Sequence, residues 1–141
     1  LIGYPILKLK ENGLSVSSLV RKLEEVMIEA LGEFGIDGER SQRGRGVFVG
    51  NRKIGALGLR IKDGISMHGF ALNVNTDLNY FDYIVPCGLK GVKVTSMAEL
   101  LANSLDMSEV QDTVVRCFAR EFGYAVELGK EKAWLAASPT G

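Results

Sequence analysis

Apolar positions in the chain first fall into a regular rhythm after residue 15. Leu19, Val20, Leu23, Val26, Met27, Ala30, Leu31 and Phe34 recur at steps of three and four. This spacing predicts one buried stripe on a helix over 15–34, with Arg21, Lys22, Glu25 and Glu29 off the stripe. Gly35 and Gly38 stand where such a helix should stop. Before it, residues 1–9 read as an apolar strand ended by the turn Glu11-Asn12-Gly13.

The rhythm then changes to that of strands. Arg40-Ser41-Gln42-Arg43-Gly44-Arg45-Gly46 reads as a loop. Val47-Phe48-Val49 and residues 53–61 flank Gly50-Asn51, a strong hairpin signal. A second turn at Lys62-Asp63-Gly64 leads to a third strand over 65–74. These three antiparallel strands hold Gly55, Gly58 and Gly69, residues that weaken a strand unless a bulge or a close approach requires them. Residues 77–84 predict a short helical turn, and Thr95 or Ser96 opens a short helix through Leu101. Ser108 and Gln111 suggest a capping box for a longer helix whose apolar face holds Val110, Val114, Cys117, Phe118 and Phe122. Gly123 ends that helix, and 124–128 reads as a last strand. Strands in a run, followed by helices without strict alternation, predict an α+β fold with a mixed, mainly antiparallel sheet packed with helices. No linker or repeat divides the chain, so residues 1–141 are expected to form a single domain.

Composition narrows the function classes. The 141 residues carry 17 basic and 17 acidic side chains, so there is no basic field to attract nucleic acid or an anionic membrane. With 46% hydrophobic and 24% charged residues, the chain has the make-up of an ordinary globule. No apolar run approaches the roughly 20 residues that span a bilayer. Two cysteines are too few for a disulfide scaffold and lack zinc-ligand spacing, and His68 has no second imidazole to share a metal. No metal or cofactor is expected. The chain opens at Leu1 inside an apolar run, which suggests a fragment lacking something upstream.

Four side chains carry possible chemistry. Cys87, between Pro86 and Gly88, is either a small buried hydrophobe or a thiol presented at a turn for nucleophilic attack. Lys53 heads the glycine-rich strand. It is either a solvated residue after a hairpin or the cation that a reactive thiol needs. Cys117 lies on an apolar helical face and reads as core. His68 and Asn73 read as hydrogen-bonded residues of a strand.

Together these segments resemble the lipoyl(octanoyl) transferase family. The matching blocks are Arg45-Gly46-Val47-Phe48-Val49, Lys53-Ile54-Gly55-Ala56-Leu57-Gly58, Ser66-Met67-His68-Gly69-Phe70-Ala71-Leu72-Asn73 and Ile84-Val85-Pro86-Cys87-Gly88, with Val94-Thr95-Ser96 trailing. They occur in family order, with Lys53 and Cys87 34 positions apart. The resemblance implies an α+β fold related to biotin and lipoate protein ligases. It makes Cys87 the acyl-carrying nucleophile and Lys53 the partner that lowers its pKa and moves protons. Ala56, Leu57 and Gly58, with Gly69, Phe70 and Ala71, become backbone lining the acyl site.

The implied reaction moves an octanoyl or lipoyl group from acyl carrier protein to a lysine of a lipoyl domain, the first step of endogenous protein lipoylation. Acceptors would be the E2 subunits of 2-oxoacid dehydrogenases and the glycine cleavage H protein. A thioester donor is already activated, so no ATP is implied. The compartment would be the cytoplasm of a bacterium, or a mitochondrion or plastid. The family's Arg-Gly-Gly…Thr-x-His-Gly-Pro-Gly-Gln block, expected just before Leu1, is not in this sequence. An alternative is therefore a truncated, non-catalytic paralogue that binds lipoyl domains or acyl carrier protein. A lipoate or biotin ligase, which would form an adenylate, has no need of Cys87.

Overall fold

The structure, a computed structural model, describes residues 1–42, 44–83 and 92–127. Helix α1 (Val16–Glu33) follows the predicted stripe closely, burying Leu19, Leu23, Val26, Met27, Ala30 and Leu31. Ser15 caps it: the Ser15 side chain accepts the Ser18 N–H at 3.0 Å, while the Ser15 N–H donates to the Ser18 hydroxyl at 2.9 Å. The helix closes at Phe34, and Gly35 takes a left-handed φ of 75°.

Among the described residues the sheet has strands β1 (Ile2–Gly3), β2 (Glu39–Ser41), β3 (Gly44–Val49), β4 (Arg52–Lys62), β5 (Ile65–Leu72) and β6 (Lys93–Val94). Their order is β1-β5-β4-β3-β2, all antiparallel neighbours. β6 runs parallel to β4 beside Arg52 and Lys53, beyond the end of the β4–β5 ladder. The sheet is therefore mixed and mainly antiparallel, as the pattern predicts. Two turns carry the hairpins, with positive φ at Gly50 and at Asp63-Gly64.

Four local expectations need correction. The first strand is interrupted at Pro5, which has no N–H to give a ladder. Its pairing with β5 resumes only at Lys8, opposite Ile65. The fully buried Ser66 spans the gap, accepting the Leu7 N–H at 2.9 Å and donating to the Pro5 carbonyl at 2.7 Å. The Arg-Gly stretch is not a plain loop, because its two ends are β2 and the start of β3. Arg43 within it lies outside the described residues.

The other two corrections concern α3 (Met107–Phe122), which is capped by Asp106 rather than Ser108. The Asp106 carboxylate accepts both the N–H (2.8 Å) and the hydroxyl (2.7 Å) of Ser108. These bonds hold it below the usual carboxylate range. Gly123 ends α3 at φ 70° as expected, but residues 124–127 form no strand. Tyr124 instead stacks near Phe122, and its hydroxyl donates to Asn12. Leu128 lies outside the described residues.

The short helix α2 (Met97–Leu101) starts at Ser96, and residues Leu78–Tyr83 form a 3-10 turn. α1 and α3 cover the same face of the sheet. Met27 reaches the backbone of Gly55, while Val114 and Phe118 lie beside Phe70. Cys117 is fully buried between the helices, as predicted. Lys22–Glu121, Glu29–Arg120 and Glu33–Arg116 ion pairs cross from α1 to α3 at 2.6–3.0 Å and set the lateral register of the two helices.

Candidate functional site

Side chains along a strand alternate between faces, so Lys53 should point the same way as Gly55, Leu57, Leu59 and Ile61. These four face α1 and the core. Lys53 does not. The β3–β4 register pairs Val47 with Gly55 but Phe48 with Lys53, so Ile54 is an extra residue, a β-bulge. Ile54 and Gly55 both turn toward the helices, Ile54 joining the core and Gly55 meeting Met27. Lys53 is rotated onto the opposite face, beside Phe48.

Lys53 is buried there, only 5% exposed, and its Nζ lies 5.8 Å from the centroid of the Phe48 ring. The reading of Lys53 as a solvated residue after a hairpin is thereby corrected. Taking a lysine out of water is costly, and a fold that does so places the amine where its charge or its proton has a use.

Three elements hold the segment in place. The Lys53 carbonyl accepts the Thr95 N–H at 2.9 Å, fastening β6 to β4. The Asn73 N–H donates to the Ile54 carbonyl at 2.9 Å, and its side-chain amide donates to the Thr95 carbonyl at 3.0 Å. Asn73 therefore ties β5, β4 and β6 together at the bulge, a partnered amide as expected. On the other side, Gly46 has φ 119°, and a Cβ there would stand 2.8 Å from Lys53 Cε and 2.3 Å from the Gly55 carbonyl oxygen. Only glycine leaves room for the lysine arm.

Gly46 is itself set by a residue that the sequence pattern did not single out. β3 bulges against β2 between the pairs Arg40–Val47 and Ser41–Gly44, leaving Arg45 and Gly46 without a β2 partner. The Gly46 N–H goes instead to Glu24 Oε1 at 3.0 Å. Glu24 is a buried carboxylate on α1, and Arg40 Nε donates to its other oxygen at 3.2 Å. The available signal was positional: Glu24 falls on the apolar stripe beside Val20, Met27 and Leu31, where a charged side chain needs a buried partner.

The six expected acyl-site residues come together as three neighbouring cross-strand pairs: Ala56–Ala71, Leu57–Phe70 and Gly58–Gly69. Their side chains divide between the faces. Leu57 and Phe70 pack toward the helices, whereas Ala56 and Ala71 share the Lys53 face. Gly69 lies against the Gly3 carbonyl and Pro5. A separate apolar cavity of about 330 Å³, lined by Gly3, Pro5, Phe70, Val114 and Phe118, opens on the helix side. His68 is exposed, at φ 62°, its ring edge-on to Tyr4 with the centroids 6.4 Å apart. The second site residue, Cys87, lies outside the described residues, as does the whole block Ile84-Val85-Pro86-Cys87-Gly88. Cys117 is no substitute, because burial and the nearby Glu33 carboxylate push its thiol up to about 11.

Comparison with known proteins fixes the family. Residues 1–119 match the model of the lipoyl protein ligase A/B catalytic domain. The chain belongs to that family. It is 48% identical over 134 residues to an octanoyltransferase from Solibacter usitatus, covering 94% of this chain and 60% of the relative. The chain spans about 60% of the length of the curated relatives it matches. Among solved structures, the apo biotin protein ligase of Aquifex aeolicus superimposes with a TM-score of 0.67 at 20% identity, over 85% of this chain and 51% of the ligase. A lipoate-protein ligase A bound with ATP gives 0.66 at 18% identity, over 86% and 53%. At these identities the two structures establish the α+β ligase fold and nothing finer. Among the described residues no helix is long and apolar enough to cross a membrane.

Proposed function

We propose that this chain carries the acyl-transfer centre of an octanoyltransferase, with Cys87 as nucleophile and Lys53 as its cationic partner and proton carrier. The observation that supports this most directly is the buried amine of Lys53, turned by a bulge onto a sheet face floored by small residues, in a chain whose curated relatives are named octanoyltransferases. Cys87 is six residues before Lys93, which pairs with Arg52. Six residues span at most about 20 Å, so the tether permits the thiol to reach the amine.

An ammonium beside a thiol favours the thiolate. Lowering the thiol pKa from about 8.5 to about 7 raises the thiolate fraction at neutral pH from a few per cent to about half. The thiolate attacks the carbonyl carbon of octanoyl-acyl carrier protein. A new sulfur–carbon bond forms, the carrier's sulfur–carbon bond breaks, and the departing thiolate takes a proton from Lys53. The neutral lysine amine of a lipoyl domain attacks the acyl-enzyme and the amide bond forms. The sulfur–carbon bond breaks so that Cys87 leaves as thiolate, and Lys53, now neutral, takes the proton that the amide nitrogen sheds. Acceptors are the E2 subunits of 2-oxoacid dehydrogenases and the glycine cleavage H protein. Residues 1–141 act within one catalytic domain, in the cytoplasm of a bacterial host or the mitochondrion or plastid of a eukaryotic one.

The test is to incubate the full-length protein with octanoyl-acyl carrier protein and map added mass by peptide mass spectrometry. The octanoyl group is expected on Cys87, with steady-state kinetics of the ping-pong form. A Cys87→Ser protein that turns over normally removes the nucleophile assignment. Lys53→Ala should raise the apparent pKa of Cys87 alkylation; an unchanged profile removes Lys53 from its role.

A further inference from the structure

Lys53 belongs to a closed ring of bonds that takes no part in the acyl-transfer steps. Thr95, just past the end of β6, is fully buried, and each of its polar groups has a partner. Its N–H donates to the Lys53 carbonyl at 2.9 Å, and its carbonyl accepts the Asn73 side-chain amide at 3.0 Å. Its hydroxyl donates to Glu99 Oε2 on α2. The same carboxylate oxygen accepts Arg52 Nη1 at 3.1 Å, and Arg52 directly precedes Lys53 on β4. The path from Lys53 through Thr95, Glu99 and Arg52 therefore returns to its start. Glu99 is steadied by its own N–H, which donates to the Ser96 hydroxyl at 3.2 Å where α2 begins. The ring closes upstream of Ile54, so it acts on the Lys53 main chain separately from the bulge.

We infer that Thr95 is a positioning residue for Lys53, its hydroxyl aiming the amine by tying the Lys53 main chain to Glu99; the inference rests on the acyl-transfer reading above. A lysine stem carries its nitrogen about 6 Å from Cα, so a backbone turn of about 10° moves the amine about 1 Å. A displacement of about 1 Å at a reacting group can slow a reaction about a hundred-fold. The Thr95 N–H holds the Lys53 carbonyl at one point and leaves that turn open. A second tie on the preceding residue, Arg52, closes it, and the two ties meet at Glu99 Oε2. The threonine hydroxyl is the link between them. Arg52 and Glu99 are both partly exposed, so their ion pair adds little stability of its own. What the ring supplies is direction, the property that a long, rotatable side chain lacks.

The experiment follows the rate of Cys87 alkylation against pH in the full-length protein, read by peptide mass spectrometry, together with kcat/KM for octanoyl transfer. Thr95→Val removes the hydroxyl and keeps the shape. It is expected to raise the apparent pKa of Cys87 toward the Lys53→Ala value and to slow transfer about ten- to a hundred-fold. Thr95→Ser keeps the hydroxyl and should keep the parent profile. Ser15→Ala weakens the fold at the cap of α1 and should also leave the profile in place. Should Thr95→Val fail to fold, Glu99→Leu, at a half-exposed position, decides alone, with the same shift expected. A folded variant lacking the hydroxyl or the carboxylate that keeps the parent profile overturns the inference while acyl transfer stands. So does a shift in Thr95→Ser or Ser15→Ala as large as that in Thr95→Val. A Lys53→Ala protein with the parent profile overturns the positioning role and the Lys53 chemistry together.

Discussion

Glu24 offers a sharp test of how the site is held. Replacing it with alanine removes the acceptor of the Gly46 N–H, a buried bond of 3.0 Å. An amide left unpaired away from water costs about 1–3 kcal/mol. Loss of the buried side-chain methylenes adds about 1 kcal/mol. Arg40 keeps Glu25 and the Arg21 carbonyl as partners and is about a third exposed, so its share is small. The expected destabilisation is about 2–4 kcal/mol, a large part of the roughly 5–15 kcal/mol that holds a domain together. Glu24→Gln retains an oxygen for Gly46 and weakens only the pair with the one-third-exposed Arg40, which keeps its other partners, so it should cost less than about 1 kcal/mol. Urea unfolding of the full-length protein reads both as midpoint shifts at constant slope. If alanine and glutamine cost the same, the Gly46 bond is not what Glu24 contributes, and the bracing argument is wrong.

Three further outcomes follow from the structure. In Gly69→Ala the new Cβ would stand 2.0 Å from the Gly3 carbonyl oxygen and 2.7 Å from Pro5 Cδ, so β1 must leave β5. Exchange of the Leu72 amide, bonded to the Leu1 carbonyl at 2.8 Å, should then accelerate; unchanged protection contradicts the close approach. The Cys117 thiol, pushed up to about 11, should resist iodoacetamide at pH 8 and label only as the pH approaches that value. The unfolded thiol ionises near 8.5, so the unfolded chain binds fewer protons above that pH, and stability should fall between about 8.5 and 11. A Cys117→Ala protein with the same alkaline profile refutes the assignment. Ser15→Ala removes the reciprocal cap of α1 and should cost about 1 kcal/mol in thermal or urea unfolding, where no loss would mean the cap is idle.

What was legible in the sequence was whatever depended on local periodicity. α1 could be read nearly to the residue because its stripe, its serine cap and its glycine stop all agree. The two hairpins were equally plain, since Gly50-Asn51 and Asp63-Gly64 supply the positive φ that tight turns require. Errors arose where a side chain or a distant strand decides the outcome. A carboxylate outcompetes a hydroxyl at a helix N-terminus, which is why Asp106 displaces Ser108. The Arg-Gly stretch looks like a loop because it lacks apolar residues, yet it is held in place through Glu24 on α1 rather than through apolar burial.

Lys53 shows the same limit where it bears on chemistry. Simple alternation buries its side chain under α1, where an ammonium would meet Met27, Leu31 and Val47. One residue inserted at Ile54 turns it to the other face, and that insertion exists only relative to β3. Composition therefore supplied a lysine and a family pattern, but the direction in which the amine points is a property of strand register. Register comes from the whole sheet: from Val47 opposite Gly55, from Thr95 fastened to the Lys53 carbonyl, and from Asn73 joining β5 to β6. Deleting Ile54 should remove the bulge yet leave Lys53 opposite Phe48 on the same face, because Gly55 still points to the core and the residue before it then points away. The cost of that deletion is the buried Ile54 side chain, about 2–5 kcal/mol in urea unfolding. Swinging the amine into the core takes the opposite change, one further residue inserted between Lys53 and Ile54 while the bulge stays, which moves Lys53 one step along the alternation. A deletion variant that folds should therefore keep the parent alkylation profile at Cys87, and one that shifted to the Lys53→Ala profile would show that the bulge itself, and not the face, sets the amine.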